Sequence, residues 1–458
     1  MHALLLGRFH AVTRTQSDWL ASLAQAPVEK IVCVITSANQ SSSRRNPLDV
    51  ETREAMLAPA LARSGKPFEL VRIDDIPDST LWVEHVLAQV EGQSGIKLVP
   101  GNTLLFSANR DVDALFRERG FTIVNQEVKG LTPHELVQRI VDGKAWVEQA
   151  SVETRAVYER AEVAAKVRDI FRQSLLNDDG EFGHFRDFLS YGAQMDASLV
   201  QKLEDLVGWV KPGCIVDKGC GTGRLLVELS RLFPSSQLVG VDLSREFLRL
   251  CDENTYASED VALVFGNIIE RNVPPGSATT VIYSSVMHEV HSYSNYQRSE
   301  IDRALRNCFE ELRPGGRVLI RDGVSPEPAT WQLHFSNAAT NDIFERFARE
   351  FCHGRGAKFE RLGPDRVQLS SHDANEFLCK KDYLKNWHIE VHEEFGPLTL
   401  NQWNDVLERT GFEPLHTAQY ANEWIVKHRY QGAVQVFDAQ GNPLAWPATN
   451  MVVVGEKP

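Results

Sequence analysis

The chain has no run of eighteen apolar residues, no Cys-x-x-Cys pair and no surplus of positive charge. The first absence argues against a membrane-spanning helix. The opening Met1-His2-Ala3-Leu4-Leu5-Leu6-Gly7 is too short and too uncharged for a secretory signal, so a cytoplasmic location is expected. The second leaves seven cysteines (33, 214, 220, 251, 308, 352, 379), an odd set that fits reduced, packed thiols better than a disulfide frame or a structural zinc site. The third follows from 62 Asp+Glu against 49 Lys+Arg, a net charge of −13. Such a balance does not favour broad contact with nucleic-acid phosphates or anionic lipid, so no nucleic acid and no membrane is expected as a partner. What the chain does have is 458 residues with 43% apolar content. At roughly 100–200 residues per domain that is enough for two to four domains.

From Met1 to about Trp146 short apolar runs alternate with amphipathic stretches, the rhythm of βα units. Leu4–Leu6, Ile31–Ile35, Leu70–Ile73, Thr103–Phe106 and Phe121–Val124 are predicted as buried parallel strands. Ser151 to Leu176 is charged, Ala-rich and free of Gly and Pro, which predicts a connecting helix. A second series starts near Asp196, with strands at Cys214–Val216, Leu238–Val241, Val261–Val264, Val281–Tyr283 and Arg317–Ile320. After Asp322 the rhythm breaks, then resumes with a helix at Leu400–Thr410 and strands at Leu415–Tyr420 and Asn450–Val454. The insertion, about 324–398, is too apolar for a loose linker and is expected to be a helical lid over the sheet's carboxyl edge. The expected fold is α/β: two doubly wound, Rossmann-like parallel-sheet domains, 1–150 and 196–458, joined by a helical linker, 151–195.

The strongest chemical signal lies in the second series. Val216-Asp217-Lys218-Gly219-Cys220-Gly221-Thr222-Gly223 joins a strand to a helix, and glycines there let the backbone turn sharply and lie close to a ligand. A dinucleotide fingerprint places its third glycine five residues after the first, where this chain has Arg224; here it comes one residue earlier, which suits a ligand without a pyrophosphate. At the end of the next strand Asp242 can accept both hydroxyls of a ribose. Over about 196–323 these residues resemble the class I S-adenosylmethionine-dependent methyltransferases. The resemblance implies that Gly219, Gly221 and Gly223 line the methionine portion, that Asp242 holds the ribose and that Asn267 meets the adenine amino group, with Asp217, Ile268 and Ser284 completing the cofactor contacts. Leu312-Arg313-Pro314-Gly315-Gly316 before the fifth strand is another habit of the family, whereas Lys218 stands where an apolar residue is common and is expected to point to solvent.

Methyl transfer is an in-line displacement from a good leaving group, so the protein needs mainly to align the acceptor and, for a weak nucleophile, to remove its proton. The segment after the fourth strand, Ser284 to Tyr293, should face the methyl group, and His288 is the leading candidate for base or substrate orienter because an imidazole titrates near neutral pH. Packing is the plainer use of a His there. Asp322, closing strand five, and Tyr293 are the second candidates. An Asn-Pro-Pro-Tyr loop is absent, which weighs against a nucleobase methylase. His388 and His392 are spaced to share a helical face with Glu393 adjacent, yet Ile389 stands where a His-Glu-x-x-His pattern needs its glutamate; His288-Glu289-Val290-His291 misses the same pattern, and no metal is expected.

In the first series Gly7-Arg8-Phe9, Ser37 to Ser41, Asn46 to Arg53, and Phe106-Ser107-Ala108-Asn109 with Leu115 to Phe121 resemble the nicotinamide-nucleotide adenylyltransferase branch of the nucleotidylyltransferases, over about Leu4 to Trp146. The resemblance implies a nucleotide site built from Gly7, Arg8, Phe9, Thr13, Gln16 and Asn109, served by Mg²⁺ and a nucleoside triphosphate. In that family a His-x-Gly-His or Thr-x-Gly-His turn holds the triphosphate. Here the turn reads Thr13-Arg14-Thr15-Gln16, and Val137 stands at the position of a later phosphate-binding arginine. Losing both cations should cost several kcal/mol of transition-state stabilisation, at roughly 3 kcal/mol per removed donor. Arg14, His10, Arg44, Arg45 or Lys129 are available as substitutes, with a solvated loop as the plainer use of Arg44-Arg45.

The leading expectation is a small-molecule methyltransferase whose N-terminal domain binds a nucleotide or has degenerated, with a nucleotide-linked acceptor one case. A bifunctional enzyme that also transfers nucleotidyl groups, and a non-catalytic sensor or scaffold that binds both ligands, are the alternatives.

Overall fold

The computed structural model describes residues 1–75, 81–107, 109–125, 130–172, 176–181 and 198–458. The chain divides into two compact units, Met1–Gly183 with Phe265–Glu270, and His184–Val264 with Arg271–Pro458. The expected boundary near 195 and the proposed substitute Lys129 lie outside the described residues.

In the first unit β1 (His2–Gly7), β2 (Lys30–Ile35), β3 (Phe68–Arg72), β4 (Thr103–Ser107) and β5 (Thr122–Asn125) form a parallel sheet in the order β3-β2-β1-β4-β5. The continuous apolar runs that announced these strands are what burial on both faces demands. The order reverses between β1 and β4, so the turns that follow these two strands flank the crevice where open α/β sheets bind ligands. Arg53 braces one side of that crevice. It is fully buried, and its guanidinium donates to the carbonyls of Thr36 (2.8 Å), Ser37 (2.9 Å) and Arg8 (3.3 Å). The expected single connecting helix is two, Val152–Tyr158 and Ala161–Arg172, and both belong to the first unit. The Thr154 hydroxyl pairs with both backbone groups of Val12, and the Tyr158 hydroxyl donates to the His10 carbonyl, which pins the turn after β1.

The second unit contains β6 (Cys214–Lys218), β7 (Gln237–Asp242), β8 (Val261–Phe265), β9 (Ala278–Ser284), β10 (Leu312–Asp322), β11 (Thr330–Phe335), β12 (Phe359–Gly363), β13 (Arg366–Ser370), β14 (Glu413–Tyr420), β15 (Val434–Asp438) and β16 (Asn450–Glu456). The main sheet runs β14-β16-β10-β9-β6-β7-β8, with β16 antiparallel to both neighbours. The insertion departs from the helical lid expected of it. It has helices at Ala338–Gly354 and Ser371–Lys380, but it also has an antiparallel sheet in the order β12-β13-β11-β15, whose last strand comes from beyond 398. Phe344, Phe347, Phe351, Phe377 and Trp387 form its own buried core, which is why the segment reads as apolar without being a transmembrane or linker sequence.

Lys218 does not reach solvent. Its side chain is fully buried with Nζ 2.7 Å from Glu311 Oε2, while Glu311 Oε1 accepts the Asn272 N–H at 2.5 Å. Removing one member of a buried pair strands the other, which typically costs about 3–5 kcal/mol. Lys218→Met and Glu311→Gln are each expected to lower stability by about that amount in urea unfolding, and the double variant by clearly less than the sum. Full additivity would show that the pair is not coupled.

Candidate active site

The carboxyl ends of β6 and β9, with the helix Leu199–Leu206, surround a cavity lined by Asp217, Gly219, Cys220, Thr222, Lys202 and Ser284, among others. Its floor is the loop after β6. Gly219, Gly221 and Gly223 all have left-handed φ, at +83°, +52° and +75°. A Cβ on Gly219 would lie 2.7 Å from Val286 Cγ2, and one on Gly223 would lie 2.2 Å from Cys251 Sγ. Both the turn and the close packing therefore require glycine. The Gly219 and Cys220 N–H groups donate to the Val241 carbonyl (2.8 and 3.0 Å), which ties the loop to β7. Asp242 completes the tie: one carboxylate oxygen accepts the Gly221 N–H (2.9 Å) and the other the Ser244 N–H (2.8 Å). Asp217 is buried, and burial pushes its carboxyl up to about 7, with Lys202 pulling down and Asp242 adding to the rise. Ser284 Oγ is buried at the cavity wall with no hydrogen-bond partner among the described residues. Asn267 and Ile268 directly follow β8 in the Phe265–Glu270 segment that groups with the first unit; the Asn267 side chain accepts the Ile269 N–H at 3.0 Å.

A second cluster sits where β9 and β10 end. Ser285 has a left-handed φ of +59°, a conformation a non-glycine residue adopts only under constraint; its N–H donates to the Arg321 carbonyl at 2.6 Å. The helix Met287–Ser292 follows, and in it His288 places Nδ1 2.7 Å from Asp322 Oδ1 while its own N–H donates to Asp322 Oδ2 at 3.1 Å. On the other side of the ring Nε2 lies 3.6 Å from Glu393 Oε2. The Tyr293 hydroxyl donates to the other Glu393 oxygen. Burial alone would lower the His288 pKa, but Asp322 and then Glu393 hold it well above the ordinary imidazole value. The three residues expected to act here, His288, Tyr293 and Asp322, are thus brought together. Glu393 was singled out only as a neighbour of His392, because nothing in its local sequence marks it; it comes from 100 residues beyond Tyr293.

Glu393 is held there by its neighbours. Glu394 pairs with His291 Nε2 (2.9 Å) and His372 Nε2 (2.6 Å), and despite burial these imidazoles keep its carboxyl well below the usual range. The Phe395 and Gly396 N–H groups donate to Glu376 (3.0 and 2.7 Å), itself in a buried pair with Lys380. Close backbone approach does the rest: a Cβ on Gly323 would lie 2.2 Å from the Phe395 carbonyl oxygen, and one on Gly396 2.7 Å from Ser325 N. His392 does not share a helical face with His388, since that helix covers only Trp387–Glu390; its ring stacks on His353 at 4.2 Å between centroids. Among the described residues, His288, Glu289 and Glu393 are the one set whose possible metal-ligand atoms gather, all within 4.8 Å of one another.

In the first unit the turn after β1 leads into the helix Arg14–Ser22, and Thr13 and Gln16 close a reciprocal cap: the Thr13 hydroxyl accepts the Gln16 N–H (3.1 Å), and Gln16 Oε1 accepts the Thr13 N–H (3.0 Å). Phe9 has a left-handed φ of +54° and lays its ring against Gly7, where a Cβ would lie 3.1 Å away. Arg8 donates to the Arg45 carbonyl (3.2 Å), and Arg44 and Arg45 pair with Asp178 (3.6 Å) and Asp179 (2.6 Å). Asn109 caps the helix Arg110–Glu118 by accepting the Asp111 N–H.

A family model described as a methyltransferase domain matches residues 215–316. Over its N-terminal part the chain is 30% identical, across 154 residues, to the nicotinamide-nucleotide adenylyltransferase of Thermococcus sibiricus, a match that takes in 32% of this chain and 77% of that protein. The corresponding protein of Pyrococcus furiosus is 30% identical over 150 residues, covering 31% and 74%. Among solved structures, an S-adenosylmethionine-dependent methyltransferase from Archaeoglobus fulgidus aligns with a TM-score of 0.35 at 12% identity, over 59% of this chain and 100% of that one.

The loop's tolerance can be measured directly. Gly223→Ala would drive a methyl into Cys251 and force a left-handed alanine, and overpacking typically costs about 1–3 kcal/mol. A lowered melting temperature is expected, and an unchanged one would show that the loop does not need its present course.

Proposed function

We infer function from membership: through its first domain the chain belongs to the nicotinamide-nucleotide adenylyltransferase family, and its second domain is an S-adenosylmethionine-dependent methyltransferase domain. We propose that the cavity at β6 and β9, with the neighbouring Asp242, takes the cofactor and that the enzyme methylates a small molecule. The residues present fit that ligand. Bare glycine backbone suits the methionine portion, buried Asp217 would face its ammonium, and the unpartnered Ser284 hydroxyl is available to it. Asp242 is aimed by two backbone N–H groups and would accept the ribose hydroxyls; this prearranged carboxylate is the observation that carries the reading. Asn267 and Ile268 are left out of this assignment, because they group with the first unit, where the Asn267 amide donates to the Ser41 carbonyl at 3.0 Å. When bound, the cofactor supplies a methyl group activated by its sulfonium. In this reading the chain's own part is to align the acceptor beside His288, against which Glu393 and Phe395 pack, and to keep water out.

A hydrogen bond to a charged group contributes about 1.5–3 kcal/mol, so Asp242→Ala should weaken cofactor binding about 100-fold in titration calorimetry. Asp242→Asn should fall between it and the wild type, with both variants folded. Unchanged affinity would refute the ribose assignment.

Family membership favours a second reading for the first domain, nucleotidyl transfer with Mg²⁺ and a triphosphate. The turn does not fit a triphosphate well. Gln16 spends its carbonyl on the Thr13 N–H, and Val137, at the position of the later arginine, is buried. We therefore assign this domain to nucleotide binding without transfer. No pyrophosphate release is expected from ATP and nicotinamide mononucleotide, whereas sustained release would establish the bifunctional enzyme.

A further inference from the structure

The insertion delivers one group to the transfer site that the methyltransferase core lacks. Resting on the methyltransferase reading above, we propose that Glu393 is a positioning residue: with Asp322 it sets a carboxylate at each nitrogen of His288, so that the ring meets the methyl acceptor as a hydrogen-bond donor and not as a base.

The geometry divides the labour between the two acids. Asp322 Oδ1 is 2.7 Å from Nδ1, a full hydrogen bond in which the carboxylate accepts the Nδ1–H and fixes the ring. Glu393 Oε2 is 3.6 Å from Nε2, close enough to hold the positive charge but too far to use the Nε2–H. That proton is left for the incoming acceptor. The Tyr293 hydroxyl on the second oxygen of Glu393 fixes the carboxylate's orientation, and Glu394 and Glu376 anchor the backbone that follows it through His291, His372 and the Phe395 and Gly396 N–H groups. The Phe395 ring packs edge-on against His288, 5.3 Å between centroids. Among the described residues, further charged groups near this pocket include Glu289, on the helix that carries His288, Arg355, 3.6 Å from Glu394, and Lys380, whose Nζ lies 3.7 Å from the centre of the Phe395 ring.

The consequence concerns the acceptor. A ring that carries both protons cannot take another, so the acceptor must present its lone pair without first surrendering a proton to His288, as a carboxylate, a phenolate or a neutral amine does. For a carboxylate the balance is complete: the oxygen–methyl bond forms, the sulfur–methyl bond breaks with its electron pair going to sulfur, and no proton is released. A raised pKa also fixes the sign of the pH dependence. The donor form is present at low pH and is lost as pH rises through the His288 value, which lies above the ordinary 6.5.

Histidine-selective NMR on the full chain, with His288→Gln used to assign the signal, reads this directly. In the wild type His288 should titrate above 6.5; Glu393→Gln should lower it by about a unit or more, and Glu393→Asp should restore part of the shift. With an acceptor found by labelled-cofactor incubation in a metabolite extract, kcat should fall as pH rises through the same value, and in Glu393→Gln the fall should move to lower pH. A titration unmoved by Glu393→Gln, or a kcat that rises through the His288 pKa, would overturn the proposal. So would one equivalent of Mn²⁺ or Zn²⁺ bound by the wild type and lost in Glu393→Gln, since His288, Glu289 and Glu393 would then be ligands. Cofactor affinity measured on the same samples separates the two readings. If the wild type binds no cofactor, the methyltransferase reading fails while the titration still decides the role of Glu393.

Discussion

The carboxylate of Asp242 is the constraint on which the second domain's site depends. It ends β7 yet accepts an N–H from the loop after β6 and another from its own turn, so the loop and the acid cannot move independently. The Val241 carbonyl reinforces the same tie through Gly219 and Cys220. Backbone hydrogen bonds thus hold a concave loop and an oriented acid together, and preorganisation of this kind reduces the entropy lost on binding. Asp217, buried beside it and raised to about 7, is the electrostatic cost of the arrangement: a carboxyl that stays neutral in part until a cation faces it.

The two clusters were built in different ways. The glycine loop and Asp242 come from consecutive βα units, whose loops lie together because their strands do. The His288 cluster needs a visitor from far along the chain. Gly323 and Gly396 let two stretches of backbone lie nearly in contact at the end of β10, and that contact places Glu393 against His288. The insertion can do this because it has a core of its own, with an antiparallel sheet completed by β15.

The parallel strands were legible in the sequence because strands buried on both faces are written as unbroken apolar runs, and the observed bounds of β1, β2, β6 and β9 enclose those runs. The insertion's sheet was not. β12 is largely exposed, and β15 lies beyond the segment that the break in rhythm delimited. Lys218 was misread for a similar reason: its partner, Glu311, is remote in sequence, and no local pattern announces a buried ion pair. Asp217, the glycines and Asp242 were legible because their spacing on strand ends is itself the geometry. Gln16 was legible only by half. As a replacement for histidine it spoke of lost charge, but Thr13-x-x-Gln16 is also the spacing of a capping box, and that is the role the side chains take. The turn after β1 thereby opens the helix Arg14–Ser22 on a capping box and is secured from behind by Thr154 and Tyr158.

A crystal of the full chain grown with S-adenosylhomocysteine tests the central claim most directly. Density for the nucleoside should lie above Gly219 to Gly223, with both ribose hydroxyls within hydrogen-bond distance of the Asp242 carboxylate. An empty cavity at saturating ligand, or the nucleoside bound away from Asp242, would contradict it.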